Sequence, residues 1–331
     1  DVKQLFHFES VQNEVLEILP SIPAQVAELK KVLLQKEIPQ VDIGPHCSNP
    51  YGCDFAGHCW KHIPDYSIFN ISRLTGDKKF ELYNNGIINF IDIPDDAPLN
   101  DNQWMQVNSE LNNETIIDKA NIKEFVRDLN YPLYFMDFET FSTAVPIFDK
   151  SRPYQQLVFQ YSLHVLPKEN GKLIHKEYLA ETNGIDPRIN FIEQLIADCG
   201  NKGDILVYNI GFERGKLNEL AEVFPQYSLS IEKITERMKD LMLPFQKRWY
   251  YTPQMKGSYS IKKVLPALVP ELSYDNLNIS EGGTASNTFA AMVSGNFEGN
   301  AEQTRKDLLA YCKLDTFAMV KIIERLIQTT K

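Results

Sequence analysis

The stretch Tyr131-Pro132-Leu133-Tyr134-Phe135-Met136-Asp137-Phe138-Glu139-Thr140 begins as dense apolar and aromatic sequence and ends on two carboxylates. Tyr131–Phe138 has the bulk and aromatic content of a strand buried in the middle of a sheet. Side chains at i and i+2 of a strand share one face, so Asp137 and Glu139 are predicted to point the same way. Two carboxylates side by side at the end of a buried strand are costly unless something cationic neutralises them. A hard divalent cation such as Mg²⁺, which prefers oxygen ligands, would do so. Taken alone, the pair reads equally well as a polar strand end facing water.

Working outward from this strand, Leu157–Leu166 and Leu173–Leu179 are predicted as further strands, and Pro187–Asp198 as a helix with Ile189, Ile192, Leu195 and Ile196 on one face. Asp204–Tyr208 is a short buried strand and Glu213–Glu222 a helix; Ser260–Leu268, Thr284–Val293 and Ala301–Ile327 carry helical spacing. Early strands, then alternation, then a helical tail predict an α/β domain on a mixed sheet. Two further motifs fall at its element boundaries. Tyr208-Asn209-Ile210-Gly211-Phe212-Glu213 lies where a strand gives way to a helix. A carboxylate is electrostatically welcome at that helix start, so capping is a sufficient reading of Glu213 by itself. Tyr311-Cys312-Lys313-Leu314-Asp315 puts Tyr311 and Asp315 one turn apart on one face of the last helix, a common structural arrangement when it stands alone.

Together, and in this order, the three motifs resemble the DEDD exonuclease superfamily, specifically the DEDDy branch that includes polymerase proofreading domains and ribonuclease D. The resemblance covers roughly residues 130–330, and Gly257–Leu265 (GSYSIKKVL) is similar to the helix start that precedes the third motif in many members. It implies a ribonuclease H-like mixed β-sheet flanked by helices and 3′→5′ exonuclease activity on DNA or RNA. It further implies two Mg²⁺ or Mn²⁺ ions held by Asp137, Glu139, Glu213 and Asp315. Two ions about 3.5–4 Å apart activate a water and stabilise the leaving oxygen in an in-line displacement. Tyr311 would orient that water; with an ordinary pKa of about 10 it is a poor general base. Thr140 and Phe141 would touch the 3′-terminal nucleotide, and Asn209 would tie its turn together by side-chain hydrogen bonding. The chain departs from the family at Glu213, where an Asp is usual. A catalytically silent nucleic-acid-binding or scaffold module is the alternative, and a phosphodiesterase acting on small nucleotide esters a third reading.

Lys247-Arg248-Trp249-Tyr250-Tyr251, with Lys256, Tyr259, Lys262 and Lys263 downstream, mixes cations with aromatic faces. Such a segment suits single-stranded nucleic acid, the cations tracking phosphates while rings stack bases; a solvated loop over core aromatics is the plainer reading. Arg214–Lys263 holds ten Lys or Arg against five Asp or Glu, although the whole chain carries a net charge of −10. That balance argues against coating nucleic acid by bulk electrostatics and leaves room for a local grip on 3′ ends.

The N-terminal part reads differently. Leu5–Phe8 is predicted as a short strand, followed by amphipathic helical spacing through Leu33. Cys47, Cys53 and Cys59 then crowd into thirteen residues rich in Gly and Pro. Three clustered thiols are a poor disulfide framework and a better metal site in a reducing compartment, so a cytoplasmic protein is expected. The spacing is similar to the distal three cysteines of RecB-like nucleases, which implies a four-iron, four-sulfur cluster. Zn²⁺ held with His46, His58 or His62 and plain free thiols are the alternatives. Cys199 and Cys312 read as buried small hydrophobes. The chain as a whole resembles bacterial proteins of unknown function that join a RecB-like domain to a DEDDy-type domain. That implies a RecB-like remnant over 1–92 and the exonuclease domain over 129–331; between them 93–128, which opens acidic and rich in turn residues (IPDDAPLNDN), is predicted as a linker. An N-terminus without Met leads us to expect part of a longer protein, and it shows no secretory signal. No apolar run approaches the roughly 18–20 residues that span a bilayer, so no membrane partner is expected.

Overall fold

The computed structural model describes residues 7–331. Of the strand expected over Leu5–Phe8, Leu5 and Phe6 lie outside the described residues, and His7 and Phe8 belong to no strand. The chain divides into two compact units: residues up to 69 with Leu74–Asp95, and Asn70–Arg73 with Asp96–Lys331.

In the smaller unit, helices α1 (Gln12–Ile18) and α2 (Ile22–Leu33) bury none of their residues, so the predicted apolar face is exposed. α3 (Ala56–Cys59) follows in the cysteine loop, and α4 (Gly76–Asn84) carries Phe80 and Tyr83 into a ring cluster with Trp60 and Phe69. Tyr83 donates its hydroxyl to Asp42 at 2.7 Å and meets His62 Nε2 at 3.0 Å.

The larger unit begins with α5 (Asp101–Asn112), β1 (Ile116–Ile117) and α6 (Lys119–Arg127). The span 93–128, expected as connector, is thus mostly regular structure. Its Asn and Asp residues, which suggested turns, cap the helices: Asn100 accepts from Gln103 N–H and Asp118 from Asn121 N–H. Five strands then form a mixed sheet: β2 (Leu133–Phe141), β3 (Leu157–Leu166), β4 (Ile174–Leu179), β5 (Ile205–Val207) and β6 (Met238–Asp240), in the order β4-β3-β2-β5-β6. β3 runs antiparallel to β2 and β4, whereas β5 is parallel to β2 and β6. The 131–140 stretch is therefore the central strand, as its composition predicts.

Alternation along β2 splits the core in two. Leu133 and Phe135 face one way, towards α6, α11 (Ile261–Leu268) and α13 (Ala301–Thr329). Tyr134, Met136 and Phe138 face the other way, towards α7 (Arg188–Cys199), α8 (Ile210–Val223) and α9 (Ser228–Thr235). Asp137 and Glu139 continue the Leu133–Phe135 face, so the sheet delivers both carboxylates to the side covered by α13. α13 keeps one stripe buried through Leu308, Tyr311, Asp315, Met319, Ile322 and Leu326, the i, i+3/i+4 spacing of a helix laid on a core. The remaining elements are α10 (Leu243–Gln246), β7 (Tyr250–Tyr251), which pairs with β1, and α12 (Gly282–Val293). α12 closes the end of the sheet by stacking Phe289 on Phe159, ring centroids 3.9 Å apart. Gly203, at φ +81°, makes the turn into β5; any Cβ there would run into the carbonyl of Pro132.

Candidate metal centre

Three elements carry the acidic motifs, and the carboxyls of Glu139, Glu213 and Asp315 all act electrostatically on Asp137. β2 carries Asp137 and Glu139, with a register shift between Glu139 and Thr140 where the strand leaves regular pairing with β3. The first turn of α8 supplies Glu213, and the middle of α13 supplies Tyr311 and Asp315. Glu139, Glu213 and Asp315 are 8%, 2% and 7% exposed. Burial is the main reason all four carboxyls are held above their ordinary range, and neighbouring carboxylates add to it for Asp137, Glu139 and Glu213. Asp137 is raised well above its ordinary value, by burial and then by Asp315, Glu139 and Glu213. Glu139 is pushed up to about 8 by burial and Asp315. Glu213 reaches about 8 through burial, with Asp240 contributing. Asp315 rises to about 6 through burial, opposed by the Tyr274 hydroxyl and by Lys262.

The turn that presents Glu213 is built by Asp240, at the end of β6. Asn209 sits in the left-handed region at φ +85°, and its N–H donates to Asp240 Oδ1 at 3.2 Å. Ile210 N–H donates to Oδ2 at 3.3 Å, and Met242 N–H to Oδ1 at 2.9 Å. The expectation that the Asn209 side chain ties this turn is corrected: it makes no capping bond to α8, and the Asp240 carboxylate does the work.

The donor set suits a hard divalent cation. Among the described residues Glu213 Oε2 is buried without a hydrogen-bond partner, a costly state for a charged carboxylate unless a proton or a cation meets it. Ligand atoms of Asp137, Glu139 and Cys312 lie within 4.8 Å of one another. Cys312, predicted to be a plain hydrophobe, therefore lines the centre, its Sγ 3.8 Å from the Asp137 carbonyl and 3.9 Å from Oδ2. Burial and the adjacent carboxylates push its thiol up, so it stands there as a neutral S–H. Tyr311 is likewise kept protonated, by burial and then by Asp315 and Glu139.

Of the residues expected to meet a substrate, Lys262 reaches the centre. It donates to the Ser280 carbonyl at 2.9 Å, lies 5.7 Å from the Tyr311 ring centroid, and lowers both Glu139 and Asp315 electrostatically. Thr140 is buried directly after Glu139. Others have structural places instead. Phe141 is buried, its ring edge-on to Phe148, Phe159 and Phe289, with no face left for a nucleotide. Arg248 is buried over the Tyr251 ring and donates to the Gly257 carbonyl at 3.0 Å, so it braces the loop before α11. Tyr259 accepts from Arg73 Nε at 3.2 Å and takes the Tyr208 hydroxyl on its carbonyl at 2.8 Å. Lys247 is exposed at the end of α10.

Among the described residues, Cys47, Cys53 and Cys59 are not gathered with one another or with the histidines into a ligand group. The backbone organises this loop: Cys53 N–H donates to Cys47 O at 3.0 Å, Ala56 N–H to Cys53 O at 3.0 Å and Cys59 N–H to Phe55 O at 3.1 Å. Cys53 is exposed. No helix among the described residues is long and apolar enough to cross a membrane.

Residues 134–260 match the family model of a domain of unknown function, DUF2779. The match takes in Asp137, Glu139, Glu213 and Asp240 and ends before α11. The chain is 30% identical over 245 residues, 66% of its length, to the uncharacterized protein UU173 of Ureaplasma parvum, of which it covers 35%. It is 30% identical over 205 residues, 57% of its length, to the uncharacterized MG366 homolog of Mycoplasma pneumoniae, covering 31%. The chain thus spans about a third of the length of these curated relatives.

Proposed function

We propose that residues 129–331 form a ribonuclease H-like, divalent-metal-dependent 3′→5′ exonuclease domain acting on single-stranded ends of DNA or RNA, within a cytoplasmic bacterial protein. One observation carries this reading: the half-buried Asp137 feels the buried carboxylates Glu139, Glu213 and Asp315, delivered from β2, α8 and α13, and among the described residues Glu213 Oε2 has no hydrogen-bond partner. Asp137, Glu139, Glu213 and Asp315 would hold two Mg²⁺ or Mn²⁺ ions. When bound, these supply a water of lowered pKa and charge stabilisation at the leaving oxygen. The protein's own residues do the rest. Tyr311, kept protonated by its surroundings, orients the attacking water through its hydroxyl and does not accept its proton. Lys262 stands beside Glu139 and Asp315, where a cation meets the phosphate of the terminal linkage.

Incubating 5′-labelled single-stranded DNA and RNA with the wild-type chain and Asp137→Ala in Mn²⁺ tests this. A ladder shortening from the 3′ end, reduced to background in Asp137→Ala, is the expected result. Glu213 in place of the usual Asp favours a second reading, a silent nucleic-acid-binding module. Binding without shortening in any divalent metal would support that module instead.

A further inference from the structure

We infer that Tyr274, in the loop between α11 and α12, is a positioning residue that sets the Asp315 carboxylate for a divalent cation. The inference rests on the metal-centre reading above. Its hydroxyl donates to Asp315 Oδ1 at 2.6 Å, within the short range of a charge-assisted O–H···O⁻ bond. Tyr274 stands forty-one residues before Asp315 and belongs to none of the three acidic motifs. The phenol occupies one carboxylate oxygen and fixes the plane of the group, which is how outer partners orient metal-binding carboxylates.

The loop is built to hold that hydroxyl still. Leu277 N–H donates to the Tyr274 carbonyl at 3.0 Å, closing a turn around it. The preceding Ser273 donates its hydroxyl to Asp275 at 2.6 Å and accepts the Asp275 N–H at 3.1 Å. The Tyr274 ring sits 6.2 Å from the Tyr311 ring, and Lys262 Nζ lies 5.8 Å from its centroid. Lys262 also grips the Ser280 carbonyl of the same loop. At the loop's far end, a Cβ on Gly282 would stand 3.7 Å from the Tyr311 hydroxyl and 3.8 Å from Glu139 Oε2. The segment thus follows the acidic centre along its length, and Tyr274 is its direct bond to a carboxylate.

Calorimetric titration of Mn²⁺ into the full chain tests this without relying on turnover, using wild type, Tyr274→Phe, Asp315→Asn and the double variant. Phe keeps the ring and its packing, and thermal melting checks that each variant is folded. The expected result is an Mn²⁺ Kd about 10-fold weaker in Tyr274→Phe, with the double variant no weaker than Asp315→Asn alone. If wild type binds Mn²⁺ and Tyr274→Phe binds it equally well, the inference is overturned and the metal centre stands. If wild type binds no Mn²⁺, the metal-centre reading fails and takes the inference with it.

Discussion

Glu139 and Glu213 each titrate near a pKa of about 8 in the fold, against an ordinary value of 4.5. The unfolded chain therefore ionises them first, and the folded chain holds more protons between those values. Stability that is fully present below pH 4.5 is lost as the pH climbs through about 8. On the proposed reading a bound divalent cation removes this loss, because it favours the charged form. The melting temperature of metal-free protein should fall from pH 5 to pH 8, and millimolar Mg²⁺ should raise it more at pH 8 than at pH 5. Glu213→Gln should flatten the metal-free profile and shrink the Mg²⁺ response. An Mg²⁺ effect of equal size at both pH values would count against cation binding at these carboxyls. At this scale the acidic motif residues were legible in the sequence because each sits at a strand end or helix turn that its own neighbours predict. Asp240 and Tyr274 were not, since their link to the centre exists only once distant segments pack.

At the scale of elements, the junction between β5 and α8 carries the most consequence per residue. It must present Glu213 from a left-handed Asn209, and both oxygens of Asp240 are committed to its backbone N–H groups. Asp240→Ala removes the acceptor of those exposed and part-buried donors, at a cost of about 0.5–1.5 kcal/mol for each hydrogen bond lost. Urea denaturation should register that loss, with the weakened turn also reducing Mg²⁺ stabilisation; an unchanged midpoint would remove Asp240 from this role. Long, strongly patterned elements such as β3 and α13 were readable from spacing alone. β6 and β7 were not, because three and two residues are too short to display a period. The 93–128 span misled for a related reason: Asn, Asp and Pro mark turns and helix N-termini alike, and here several of them cap helices.

For the whole molecule, a mixed five-stranded sheet with helices on both faces follows from one strand's alternation. The same parity that sends Phe135 into one core sends Asp137 and Glu139 beneath α13. The measurement that bears most directly on the account is anomalous diffraction at the manganese edge from crystals soaked in Mn²⁺. Two peaks about 3.5–4 Å apart, bounded by Asp137, Glu139, Glu213 and Asp315, are expected. A saturated soak with no peak among those four carboxylates would contradict the metal-centre reading.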